Sequence, residues 1–156
     1  MRPPRLLIRA VLTPLQGLRR LLWLVTGPPG DGVHAVPLTP RGTVVLVRLT
    51  YAPGWRLPGG GRKRGESQVE GMLRELEEEI GLVAHGEIER IDDRLRKPRA
   101  GDRSAMFLVH AVIYEPRRSL EVEEVREFDP AALPRNVTNT TRETLAALGY
   151  AGTRPE

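Results

Sequence analysis

Between Arg74 and Glu79 the chain reads Arg-Glu-Leu-Glu-Glu-Glu, and the spacing of three of those carboxylates points to chemistry. Residues from about Ser67 to Ile80 carry helical periodicity. With Val69 set at 0° and ~100° per residue, Met72, Leu73, Leu76 and Ile80 fall within ~60° of it and form an apolar stripe for the core. Glu75, Glu78 and Glu79 then stand near ~240°, ~180° and ~280°, sharing an arc of ~100° on the side away from the stripe, while Glu77 points elsewhere. Like charges at i,i+4, such as Glu75 and Glu79, cost a helix roughly a few tenths of a kcal/mol, and crowding raises their proton affinity. Arg74 can pair with Glu78 at i,i+4, but one guanidinium does not neutralise three carboxylates. One or two Mg²⁺ ions held by hard oxygen ligands would do so.

A Glu-rich helix is ordinarily a solvated face, and here the neighbours argue for more. Gly71, near ~200° on the same arc, leaves space beside the carboxylates, although glycine inside a helix costs ~1 kcal/mol relative to alanine. The loop Leu57 to Gly65 brings pliable backbone to the start of the helix, where carbonyls can ligate a metal and amides can meet a phosphate.

Gly60, Glu66, Arg74-Glu75-Leu76, Glu78-Glu79 and Gly81-Leu82, at their spacing in this sequence, resemble the complete Nudix box, and Gly54-Trp55-Arg56-Leu57-Pro58-Gly59 resembles its usual lead-in. The resemblance implies an α+β domain of the Nudix type, an α/β/α sandwich with a mixed sheet, from about Gly32 to Gly149. It implies that Glu78 and Glu79 ligate Mg²⁺ or Mn²⁺, with Glu75 a further ligand or the general base, and that a carbonyl at Gly59 or Gly60 joins them. Arg74 would orient the carboxylates and Glu66 would support them at the start of the helix. The implied reaction is hydrolysis of a diphosphate linkage in a nucleoside diphosphate joined to another group. A further carboxylate is expected from Glu121 or Glu124, and phosphate-clamping arginines from Arg56, Arg62, Arg64, Arg96, Arg99 and Arg103. Pro98, sixteen residues beyond Leu82, resembles a proline of ADP-ribose-cleaving members and favours ADP-ribose or a nucleotide sugar. A nucleoside triphosphate pyrophosphohydrolase is the first alternative. A hydrolase acting on RNA, motivated by the basic stretch Arg94 to Arg103, and a non-catalytic nucleotide-sensing module are the others; the intact box speaks against the last.

Competing motifs are weaker. Gly60 to Ser67 is close to a phosphate-binding P-loop, but Glu66 stands where the lysine is needed. No serine lies in a nucleophile elbow, and His34, His85 and His110 lack paired-ligand spacing, so each is expected to be structural or on the surface. Trp55, just before Leu57-Pro58, is expected to pack the loop against the sheet rather than stack on a base.

These side chains need a scaffold, and 156 residues, 40% apolar and 28% charged, with no cysteine, suffice for one ordinary domain without disulfides. The formal charge is +4 and the pI about 10.1, because all the basic residues except Lys63 and Lys97 are arginine. That charge favours anionic partners weakly and does not by itself call for nucleic acid. Residues 1–30 are expected to form an amphipathic helical extension, 31–150 the hydrolase domain and 151–156 a tail. Arg9, Pro14, Arg19 and Arg20 interrupt the leucine-rich start, so it falls short of the ~20 apolar residues of a bilayer span, and a cytoplasmic location is expected. Leu15, Leu18, Leu22 and Val25 at helical spacing suit docking on the domain or on a second subunit, as in a homodimer; peripheral membrane contact is the alternative.

Short β-branched runs at Val33 to Leu38 and Thr43 to Leu49 predict neighbouring strands. Further strands are expected at Glu87 to Asp93, at Ala105 to Tyr114 as one central run, and at Val125 to Phe128. A helical turn is expected at Pro130 to Leu133, and a terminal helix at Thr140 to Leu148 with Thr140 and Glu143 forming its capping box.

Overall fold

Alternation of apolar residues on three strands sorts the interior into two layers. The computed structural model describes residues 31–96, 103–117 and 119–150. The expected N-terminal extension, Pro98, Arg99 and the C-terminal tail lie outside them. From β1 (Gly32–Pro37), β2 (Val44–Leu49) and β7 (Ala105–Val109), the side chains of Val33, Ala35, Val45, Val47, Phe107 and Val109 share one core with Met72, Leu76 and Ile80 of helix α1 (Gln68–Ile80). Their strand neighbours Val36, Val44, Leu46 and Met106 enter a second core with Trp55, Leu57 and Leu145, the last from helix α3 (Asn139–Ala147). Strands that are apolar on both faces must be covered twice, which is the expected α/β/α sandwich.

The strands form a four-stranded sheet in the order β4 (Gly59–Gly61), β1, β7, β6 (Ile88–Arg90), a three-stranded sheet β3 (Trp55–Arg56), β2, β9 (Val122–Phe128), and a pair β5 (Leu82–Ala84) and β8 (Ile113–Tyr114). Among the strands of the described residues, only β1 and β7 pair in parallel. A four-residue helix, α2 (Asp93–Arg96), follows β6.

Several expected elements are corrected. β1 and β2 do not pair as neighbouring strands. A turn closed by Thr39 N–H to the Thr43 carbonyl at 2.9 Å joins them, and they meet only at an isolated bridge between Leu38 and Val44. Both edges of β1 are already filled by β4 and β7, so β2 enters the other sheet. The run Ala105 to Tyr114 is two strands, because the backbone breaks at Ala111 (φ 48°) and Val112 N–H turns back to the Leu38 carbonyl at 2.8 Å. Residues Pro130 to Leu133 form an Asp129-nucleated turn rather than a helix, with Ala131 N–H donating to the Asp129 carboxylate at 2.9 Å.

The terminal helix is capped by Thr138, not by Thr140. Thr138 N–H donates to the Trp55 carbonyl at 2.8 Å, which holds the residue extended (φ −66°, ψ 148°) and lets its hydroxyl accept from Thr141 N–H. Thr138→Ala is therefore expected to lower stability by about 1 kcal/mol in urea unfolding, whereas Thr140→Ala, inside the first turn, should change it by less than about 0.5 kcal/mol. Equal effects of the two would overturn the assignment.

Candidate active site

Helix α1 is set by its ends. Ser67 and Glu70 form a capping box, each side chain accepting from the other's backbone N–H, at 3.2 and 2.8 Å. Gly81 closes the helix at φ 72°, the left-handed conformation that favours glycine, and a Cβ there would overlap the Glu115 carbonyl. The helix lies against β1 and β4. Its buried face comprises Gly71, Met72, Glu75, Leu76 and Ile80, while Val69 is exposed on the first turn. The face is thus rotated relative to the expected stripe.

Glu75 consequently does not lie on the side away from the core: it is 1% exposed. The cause is β4, three consecutive glycines whose bare backbone comes up against the helix flank. A Cβ on Gly60 would stand 2.7 Å from the Glu75 carboxylate, so glycine there is what admits the carboxylate. Gly71 makes room of a different kind from that expected, since a Cβ on it would press on Glu66 at 3.0 Å and on Arg62 at 3.1 Å.

Arg74 ties these groups together. Its guanidinium donates to Glu66 at 2.7 and 3.1 Å, to Glu75 at 2.8 Å and to the Gly61 carbonyl at 2.8 Å. The expected i,i+4 contact with Glu78 is present and is the longest, at 3.4 Å. Glu66 also accepts from Lys63 N–H at 2.8 Å. Glu79 accepts from Gly59 N–H at 2.8 Å, and Glu78 is largely exposed. The chain therefore brings Glu66, Arg74, Glu75, Glu78 and Gly61 into one network, with Glu79 anchored on the adjoining glycine.

The electrostatics follow from this network. The hydrogen bond from Arg74 holds the Glu66 carboxyl below its ordinary value of 4.5, helped by the Lys63 amide and opposed by burial. Hydrogen bonds to Glu66 and Glu75 keep Arg74 charged at every accessible pH. Because the folded-state value of Glu66 is depressed, its contribution to stability is complete above its ordinary titration range and is lost as pH falls through the folded value. Glu66→Gln is expected to flatten the acid limb of the stability profile measured by urea unfolding across pH. An unchanged slope below the ordinary range would count against the ion pair.

The remaining candidates are dispersed. Arg56 pairs with Val47 on the α1 side of its sheet and donates to the Pro53 carbonyl at 2.9 Å. Arg62 pairs with Asp31 and donates to the Glu66 carbonyl at 2.8 Å, while Arg64 and Arg103 are exposed. Glu124 lies on β9 opposite Arg48, bonded to it at 2.6 Å and paired with Arg126. Glu121 lies just before β9, its carbonyl accepting from Thr50 N–H at 2.9 Å. Trp55 packs as expected: it is 3% exposed, meets Phe128 edge-on at 4.9 Å, and carries the guanidinium groups of Arg48 and Arg126 at 5.2 and 5.4 Å from its ring centroid.

Sequence reasoning missed the anchors of the lead-in. Trp55 N–H donates to the Asn136 carbonyl at 2.9 Å and Leu57 N–H to the buried Thr141 hydroxyl at 3.1 Å, so the loop carrying the glycines is clamped to the start of α3. No spacing signal links positions so far apart. In donor type, three carboxylates beside glycine carbonyls suit a hard divalent cation. Among the described residues no three carboxylate, imidazole or thiolate groups stand grouped to hold one, which accords with Arg74 engaging Glu75 and Glu78 while Gly59 engages Glu79.

The family model for the NUDIX domain matches residues 28–148. An RNA pyrophosphohydrolase of Alkalilimnicola ehrlichii is 33% identical over 104 residues, covering 56% of this chain and 57% of that protein. A second protein of that description, from Hahella chejuensis, is 44% identical over 50 residues, covering 32% of this chain and 31% of its own length. The chain thus spans little more than half of the one curated relative and a third of the other. Among solved structures, a MutT NUDIX hydrolase from Burkholderia pseudomallei is 27% identical at a TM-score of 0.58, covering 78% of this chain and 98% of that one. An ADP-ribose pyrophosphatase from Streptococcus suis, at 20% identity and a TM-score of 0.57 over 83% of this chain and 97% of its own, shares the fold. Among the described residues no helix is long and apolar enough to cross a membrane.

Proposed function

The chain belongs to the Nudix family, and from that premise we propose that residues 31–150 hydrolyse the diphosphate linkage of a nucleoside diphosphate derivative with the help of a divalent cation. The observation that carries this reading is the Glu75 carboxylate, sealed between α1 and the side-chain-free backbone of Gly60 and joined through Arg74 to Glu66, with Glu78 and Glu79 on the next turn. Glu78, Glu79 and the Gly60 carbonyl are the proposed ligands of Mg²⁺, with Mn²⁺ able to substitute, and of the two roles open to Glu75, further ligand or general base, the base is the one taken here. Such an ion, when bound, acidifies a water and shields phosphate charge. Glu75 accepts the proton as water adds to phosphorus, the anhydride P–O bond breaks, and two phosphate-bearing products leave. Arg74 and Glu66 position the carboxylates and do not touch the reacting atoms.

The proposed substrates are of the ADP-ribose or nucleotide-sugar type. A second reading, hydrolysis of a pyrophosphate linkage on RNA, is favoured by the names of both curated relatives and takes up the nucleic-acid partner that net charge alone does not call for. A Mg²⁺-supplemented screen over nucleotide sugars, ADP-ribose, nucleoside triphosphates, dinucleoside polyphosphates, coenzymes and a 5′-triphosphorylated RNA, scored by product masses, tests both. Cleavage of the RNA with an affinity that falls steeply with salt supports the second reading; a flat salt response with turnover of small nucleotides supports the first. Nucleotide binding with no product in Mg²⁺ would overturn both and leave a sensing module.

A further inference from the structure

Alternation along the lead-in sends Trp55 and Leu57 into the core beside α3 and leaves Arg56, opposite Val47, on the face that carries α1. Three other half-buried arginines, Arg48, Arg62 and Arg74, each meet a carboxylate. Arg56 is half-buried as well and meets none among the described residues. A terminal nitrogen donates to the Pro53 carbonyl at 2.9 Å in a contact open to solvent, while Nε lies buried with no acceptor. The Arg48 Nε is buried too, but it stands 3.3 Å from the Glu123 carboxylate.

A buried N–H without an acceptor destabilises the fold, and a guanidinium whose one partner is a neutral carbonyl forgoes the oxyanions that suit its fork best. Local structure does not account for such a residue, and its place in the chain does. From Arg56 the chain runs through Leu57 and Pro58 to Gly59, three peptides that hold the two Cα atoms within about 11 Å. Gly59 N–H donates to the Glu79 carboxylate at 2.8 Å, so the arginine and the acidic helix face adjoin the same few residues of backbone.

We propose that Arg56 is a specificity-determining contact for a nucleoside diphosphate derivative, taking oxygens of one phosphate while the other lies at Glu78 and Glu79. The guanidinium exchanges the Pro53 carbonyl for the phosphate, and Nε and a terminal nitrogen donate side by side. The residue thereby selects two linked phosphates over one. The proposal rests on the hydrolase reading above, and it singles out Arg56 among the arginines that the sequence offers. Arg62 is already committed to Asp31 and the Glu66 carbonyl, and Arg64 and Arg103 are exposed.

The test compares wild type with Arg56→Met, which keeps the stem and removes the fork, and with Arg56→Lys, which restores the charge without Nε. Each is assayed for kcat and KM on ADP-ribose, UDP-glucose and GTP, for ADP and AMP affinity by calorimetry in Mg²⁺, and for its urea midpoint. Arg56→Met is expected to raise KM about tenfold with kcat within about twofold, and to cut the preference for ADP over AMP about tenfold. Arg56→Lys is expected to recover part of the loss. The urea midpoint of Arg56→Met is expected to be unchanged or higher, because the buried donor is gone. A lower midpoint with KM in place would assign the side chain to fastening Pro53 and overturn the proposal. Turnover with KM and the ADP preference unchanged in both variants overturns the role of Arg56 alone. ADP binding that depends on Arg56 without cleavage of any compound overturns the hydrolase reading alone. A wild-type protein that neither cleaves these compounds nor binds ADP overturns both.

Discussion

Replacing Glu78 and Glu79 together by glutamine is expected to lower metal-dependent hydrolysis by at least about 10³-fold while leaving the circular dichroism and the urea midpoint nearly unchanged. The two positions suit such a test. Glu78 is largely exposed, and its contact with Arg74 is the weakest that the guanidinium makes, so its charge contributes little to folding. Glu79 holds Gly59 N–H, and a glutamine carbonyl can still accept that hydrogen bond. Removing two like charges from adjacent positions also relieves repulsion on the helix surface. Activity is therefore separable from stability here. Retention of full Mg²⁺-dependent turnover in the double variant would sink the assignment of this helix face to the metal.

Arg74→Met is expected to lower stability by about 3 to 5 kcal/mol, read as a lower urea midpoint at unchanged slope. The side chain of Glu75 is 2% exposed, and removing the guanidinium leaves that carboxylate buried without its cation. Glu66 loses the hydrogen bond that most depresses its pKa, and the Gly61 carbonyl loses a donor. If the penalty comes chiefly from the stranded charge, adding Glu75→Gln to Arg74→Met should recover more than about 1 kcal/mol, a coupling that a purely packing role of Arg74 would not produce. Strict additivity of the two substitutions would show that Glu75 reaches water by a route absent from this conformation. Activity should fall in both single variants, since Arg74→Met loosens and Glu75→Gln removes the carboxylate that the proposed mechanism uses as its base.

Much of the site is local and hence legible. Ser67, Glu70 and Gly81 bound the helix through contacts within three or four residues, and the i,i+4 pair of Arg74 and Glu78 follows from helical geometry alone. Pro40 and Gly42 between β1 and β2 are turn residues by type alone, but what the turn joins is not local. A hairpin and a connection between two sheets have the same local residues, and the occupied edges of β1 decide between them. For the same reason Thr138 rather than Thr140 caps α3. Thr138 is held extended by Trp55, a partner 83 positions away that no capping rule includes.

By itself the sequence determined a Glu-rich helix, a glycine-rich approach to it, and a family pattern specific enough to name a reaction class. These depend on spacing along the chain. Only the tertiary structure decided that Glu75 is buried rather than outward, that Glu66 is the first partner of Arg74, that Gly60 faces Glu75 while Gly59 faces His34, and that Trp55 and Thr141 clamp the loop in place. The physical reason is common to all four. A helical wheel assumes one covered face, and β4, whose glycines carry no side chains to hold neighbours off, brings bare backbone against a second flank of the helix. Burial of a charge then depends on which strand arrives beside it, a long-range event that periodicity in a single segment does not encode.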